Sequence, residues 1–98
     1  MIKVKVTKDK ISLTGHAMYD DYGKDIVCAA VSSVVITTVE GIARIDESSI
    51  DIKQDKDLTI IINKHDTITD KLIKTMINLL KEIEKKYPKN IKITNKEE

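Results

Sequence analysis

Phenylalanine and tryptophan are absent, and tyrosine occurs only three times. Without large rings, the core has to be filled by Ile, Val, Leu, Ala and Met. Cysteine occurs once, at Cys28, so no disulfide can form within the chain. A fold that does without disulfides suits a reducing compartment, and the cytoplasm is expected. With a single proline and three glycines, the chain has few breakers, and it shows no repeat or low-complexity linker. An excess of either charge is also missing. Seventeen basic residues stand against sixteen acidic ones, a net charge of +1. The molecule as a whole therefore has no strong pull on DNA or anionic lipid. The longest stretch free of charge runs from Ile26 to Val39, short of the ~20 residues a membrane helix needs. Met1 to Val6 alternates apolar and basic residues, which is not the uninterrupted apolar core of a signal peptide. No membrane partner is expected.

What is present suffices for one domain over residues 1–98. Residues 2–6 alternate with the period of a half-buried strand, and residues 10–16 continue as a second strand after a turn, with Ile11 and Leu13 on one face. Residues 15–25 hold two glycines, three aspartates and two tyrosines and read as a loop. Residues 25–44 are rich in β-branched side chains, which weakens a helix assignment, but their length is improbable for a strand. They predict a helix apolar on most sides, buried centrally or shared with a partner, with Gly41 easing close packing near its end. Residues 49–54 and 58–63 form a strand pair around Asp55-Lys56-Asp57. A second helix carries Ile68, Leu72, Ile73, Met76, Ile77, Leu79, Leu80 and Ile83 on one stripe. Thr67 and Asp70 have the spacing of a capping box, Asp66 is the alternative cap, and Pro88 ends the helix. Ile91 and Ile93 mark a last short strand, and the tail from Asn95 is polar. The order β-β-α-β-β-α-β predicts an α+β, two-layer fold, an antiparallel or mixed sheet covered by two helices.

The chemistry concentrates around Cys28. With Asp25 as N-cap, Cys28 is the third residue of the helix, where free N–H groups and the positive end of the dipole favour an anionic sulfur. Asp25, Cys28 and Ser32 are spaced by three and four and share one side of the first turns. His16 ends the second strand, and a loop folding back from it would bring its imidazole to the thiol. The pair would then act as nucleophile and general base, with the histidine later protonating the leaving amine. Asp25 is the nearest orienting group, although its charge opposes a thiolate. If Asp25 caps the N–H of Cys28, that donor is lost to an oxyanion, and no oxyanion donors can be named. Taken singly, each residue has a plainer reading: a cysteine buried as a small hydrophobe, a structural histidine, an ordinary cap, a packing serine.

The run Gly15-His16-Ala17, then Gly23, then Asp25-Ile26-Val27-Cys28-Ala29-Ala30-Val31-Ser32 resembles the signature of the ribosomal-processing cysteine proteases, the Prp (YsxB-like) family. The small size and the element order are similar too. The resemblance implies a thiol protease with a Cys/His dyad on Cys28 and His16, and a homodimer. It also implies a role in ribosome biogenesis: removal of a short N-terminal extension, ending in apolar and aromatic residues, from the large-subunit ribosomal protein numbered twenty-seven. The family's motif aspartate and serine fall on Asp25 and Ser32.

Tyr19 and Tyr22 lie between His16 and Cys28. They read either as a lid whose rings meet an apolar substrate segment or as anchors for the loop, with Gly23 as a hinge. No cofactor is called for, and His16, His65 and Cys28 lack the spacing of a metal site. His65 is expected at the surface. The lysines at 81, 85, 86, 89, 92 and 96 read as a solvated face or as a patch for ribosomal RNA. Two other functional classes compete with a hydrolase: a non-catalytic, ribosome-associated binding module with an unreactive thiol, and a redox sensor, which the lack of a second cysteine disfavours.

Overall fold

A computed structural model describes residues 1–15 and 26–96. The described elements run β1 (Ile2–Val6), β2 (Lys10–Thr14), α1 (Ile26–Ile45), β3 (Ile50–Gln54), β4 (Leu58–Ile62), α2 (Thr67–Lys86) and β5 (Ile91–Asn95). The five strands form one sheet in the order β3-β4-β2-β1-β5. Every pairing is antiparallel except β1 with β5, which is parallel, so the sheet is mixed and the fold is α+β.

Alternation along each strand sends one set of side chains to the helices. Val4 stands opposite Leu13 and Ile93, Ile11 opposite Val6 and Ile60, and Ile50 opposite Ile62. These residues form one layer of the core, which has no aromatic member among the described residues. The helices supply the other layer. Val27, Val31, Val35 and Ile42 of α1 are buried at steps of four, four and seven, so burial against the sheet overrides the weak helix propensity of this segment. On α2, the buried row is Thr69, Ile73, Met76 and Leu80. This stripe is narrower than the sequence suggests. Ile68 and Leu79 are 53% and 46% exposed, because each is one residue, or about 100°, away from the buried row.

Other local details depart from expectation. Thr67 and Asp70 do not form a capping box. The N-cap is Asp66, whose Oδ1 accepts from the Thr69 N–H at 2.8 Å, while Asp70 is held by His65. The second strand stops at Thr14 because Gly15 turns the chain with φ +66°. Gly41 eases no close packing among the described residues, since a Cβ there would meet none of them within 4 Å. The polar tail is tied down as far as Lys96, whose N–H donates to the Val6 carbonyl at 2.7 Å. At the β5 edge, the Glu84 carboxylate accepts from the Ile93 N–H at 2.9 Å. A strand edge that would otherwise invite another chain is thereby occupied by a charge.

α1 is long and apolar enough, by length and composition alone, to cross a membrane. Its buried row nevertheless packs in the core, and Glu40 interrupts it. Among the described residues its other side is uncovered, with Ile26, Ile36 and Ile45 each more than half exposed.

Candidate active site

Cys28 occupies the third position of α1 and is half-buried. The described part of the helix begins at Ile26, and the expected cap at Asp25 lies outside the described residues. Cys28 opens onto a groove of about 280 Å³ between α1 and the sheet. Along the helix, the lining continues from Cys28 through Val31, Ser32 and Val35 to Val39 at steps of three and four, the spacing of one helix edge. Ile36 and Glu40 form its outer margin on the helix, both exposed. Ser32 shares the groove with Cys28, as their spacing requires.

The sheet supplies the remaining lining. Ile2 opens β1, Leu13 lies near the end of β2, and Leu58 opens β4. These three ends meet at one margin of the sheet because Leu13 pairs with Leu58 and Ile2 lies two residues before Leu13's other partner, Val4. Ile52 and Gln54 of β3 complete the lining. Ile52 faces the core side yet is 40% exposed, since the groove leaves it uncovered. The walls are mainly aliphatic, with Ser32, Glu40 and Gln54 as polar members, so the groove is suited to an apolar side chain or a short extended peptide.

Leu13 stands three positions before His16, so the chain leading to that histidine departs from the groove's own margin. The departure is fixed by Gly15. A Cβ on it would lie 2.5 Å from the Met1 carbonyl oxygen, and its φ is one that side-chain-bearing residues avoid. The glycine of Gly15-His16-Ala17 thus has a backbone reason. His16, Tyr19, Tyr22, Gly23 and Asp25 themselves lie outside the described residues, as does the proposed capping of Cys28 by Asp25.

The sheet side of the groove was not singled out from sequence. One signal was available: the alternation Ile50, Ile52, Gln54 puts a polar amide where the strand's pattern calls for an apolar residue. A polar residue in register with a core face marks a place where that face is open.

A second polar cluster lies elsewhere. His65 is exposed, as expected, but bridges two elements: Nε2 meets Asp9 Oδ1 at 2.6 Å and Nδ1 meets Asp70 Oδ1 at 2.9 Å. Hydrogen bonds to the Asp9 and then the Asp70 carboxylate favour the imidazolium and raise its pKa above the ordinary histidine value. The cluster ties the β1–β2 turn to the start of α2. Among the described residues, no group of three His, Cys, Asp or Glu side chains is arranged to hold a metal ion.

Comparison with known proteins places this geometry. The family model described as cysteine protease Prp matches residues 1–92. The ribosomal processing cysteine protease Prp of Staphylococcus aureus is 33% identical over 90 residues, covering 88% of this chain and 85% of that protein. A crystal structure of the S. aureus protease with a covalently linked product peptide superposes with a TM-score of 0.87 at 29% identity, covering 98% of this chain and all of the other. Its complex with a substrate peptide gives 0.81 at 30% identity with the same coverage.

Proposed function

Because the chain belongs to the cysteine protease Prp family, we propose that it is a narrow-specificity endopeptidase of ribosome biogenesis, acting in the cytoplasm. Its substrate would be the N-terminal extension of the large-subunit ribosomal protein numbered twenty-seven. The observation that carries this reading is the position of Cys28, at the first turn of α1 and on an aliphatic groove. The family's S. aureus member has been captured with both substrate and covalently linked product peptides.

In the proposed reaction, Cys28 Sγ attacks the scissile carbonyl while His16 takes the thiol proton. His16 passes that proton to the leaving amine as the C–N bond breaks, leaving a thioester on Cys28. Water, deprotonated by His16, then attacks the thioester, and the thiolate departs and recovers the proton. Asp25 and Ser32 are assigned as supporting residues, Ser32 from the groove it shares with Cys28, and Tyr19, Tyr22 and Gly23 as residues that would meet the substrate. Apolar residues of the extension would lie along Val31, Val35 and Leu58. The uncovered side of α1, with Ile26, Ile36 and Ile45, supports a homodimer in which a second copy shields it.

The test is cleavage of a peptide spanning the extension of the same organism's ribosomal protein, under reducing conditions. The expected result is a single cut, lost in both Cys28→Ala and His16→Ala. No cleavage by the wild type, or normal cleavage by Cys28→Ala, would overturn the reading.

A further inference from the structure

Among the described residues, the sheet's other face is bare. Both helices pack on the side of Val4 and Ile11, so the alternate residues of every strand point to solvent. On β1 these are Lys3 and Lys5. Register places Lys92 beside Lys3, Thr94 beside Lys5, and Thr14 and Ser12 on the opposite flank. Lys96, just past β5, joins Lys3, Lys5 and Lys92 around one shallow depression floored by the hydroxyl-bearing residues. The linear run of lysines in the last third of the sequence therefore divides. Lys81, on α2, lines a separate depression beside the β1–β2 turn, while Lys92 and Lys96 join two lysines from β1.

Chemistry narrows the occupant. None of these four lysines is ion-paired among the described residues. The acid on the described strands' outward positions is Asp51, on the far edge strand, where it accepts from the Asn63 amide. Glu97 and Glu98, which follow Lys96, lie outside the described residues. A second copy of this face would meet it with like charge. A lipid surface would want exposed apolar anchors, and Val4, the apolar residue among the depression's described lining, is only 1% exposed and belongs to the core. A single strand read by stacking would need aromatic rings, and the depression's described lining has none. What remains is a surface for backbone phosphates: lysines about 6.6 Å apart along a strand and about 4.8 Å apart across it, interleaved with hydroxyl donors.

We propose that this bare face, set by Lys3, Lys5, Lys92 and Lys96, docks the phosphate backbone of double-helical RNA, on the opposite side of the sheet from the Cys28 groove. The choice of RNA over DNA rests on the proposed ribosomal substrate. The surface would hold the protease near its target without occupying the groove.

Fluorescence anisotropy with a labelled RNA duplex of arbitrary sequence tests this. With about four phosphates contacted, raising salt fourfold should weaken binding about a hundredfold. Lys3→Thr/Lys92→Thr should lower the salt slope by about two and weaken binding at low salt, while peptide cleavage stays at the wild-type rate. Lys81→Thr/Lys85→Thr removes the same charge from α2 and should change binding little. Three results would overturn the proposal: no RNA binding at low salt, equal loss in both double variants, or equally tight binding of polyglutamate or phosphatidylserine vesicles. RNA binding without any peptide cleavage would leave this surface standing and remove the protease reading instead.

Discussion

Replacing Gly15 by alanine should destabilise the protein far more than its solvent-accessible position suggests. Two costs add. The observed φ of +66° costs a residue with a Cβ about 1–2 kcal/mol. The new Cβ would also stand 2.5 Å from the Met1 carbonyl oxygen, a backbone atom that cannot rotate away. Moving Met1 drags Ile2, which is only 2% exposed in the core, so this resembles an overpacking change of about 1–3 kcal/mol. Together they come to about 2–5 kcal/mol, a large share of the ~5–15 kcal/mol that holds a domain. In a chain of this size the midpoint of thermal unfolding should fall by about 10 °C or more. Gly15→Asn separates the two costs, because asparagine accepts this backbone conformation but keeps the Cβ. Gly41→Ala is the control. Nothing lies within 4 Å of a Cβ there and the site is helical, so it should gain about 0.4–1 kcal/mol. Thermal and urea melts followed by circular dichroism should rank Gly41→Ala first, then wild type, Gly15→Asn and Gly15→Ala. Wild-type stability in Gly15→Ala, or a loss in Gly41→Ala, would refute the reasoning.

The remaining predictions address the cluster, the core and the nucleophile. His65 has a raised pKa in the folded state, so its contribution is fully present below the unfolded value near 6.5 and is lost as pH rises through the folded value. Wild-type melting temperature should therefore decline across neutral pH more steeply than that of His65→Ala. The difference should be small and salt-sensitive, because 38% of the side chain is exposed; parallel profiles would count against the bridge. Ser49 is fully buried, and its hydroxyl has no hydrogen-bond partner among the described residues. Ser49→Ala should raise stability by about 1 kcal/mol in urea melts, and a clear loss would mean that the hydroxyl is bonded. Cys28→Ala should keep the wild-type melting temperature within a few degrees while abolishing cleavage, since the half-buried thiol adds little to the core.

Much of the fold was legible because two periods carry it. Ile2, Val4 and Val6 announce a strand by alternation, and Ile73, Met76 and Leu80 announce a helix by steps of three and four. α1 was legible only through its length, as its β-branched residues argue locally for a strand and only the sheet beneath Val27, Val31 and Val35 decides otherwise. The cap of α2 was ambiguous because Thr67 and Asp66 are both good caps. The deciding contact comes from His65, which draws Asp70 away to the other side. Cys28 and Ser32 follow from helical spacing, but the groove they share does not. Ile2, Leu13, Ile52 and Leu58 come from four strands and meet only through register. The lysine face was hidden for the same reason: Lys3 and Lys92 are neighbours only because β1 and β5 run side by side.

That parallel pairing has a consequence for how the chain acquires its shape. Of the five strands β1 is synthesised before the others, yet it lies inside the sheet, with β2 on one flank and β5 on the other. Its second flank is filled by residues roughly ninety positions later. A nascent chain emerging in order can form the β1–β2 hairpin early, but one edge of β1 stays open until the last strand arrives. Closing so long a loop comes late and slowly compared with the local helices. In the interval the chain presents an unpaired strand edge with one apolar face, the state in which it is most exposed to wrong partners.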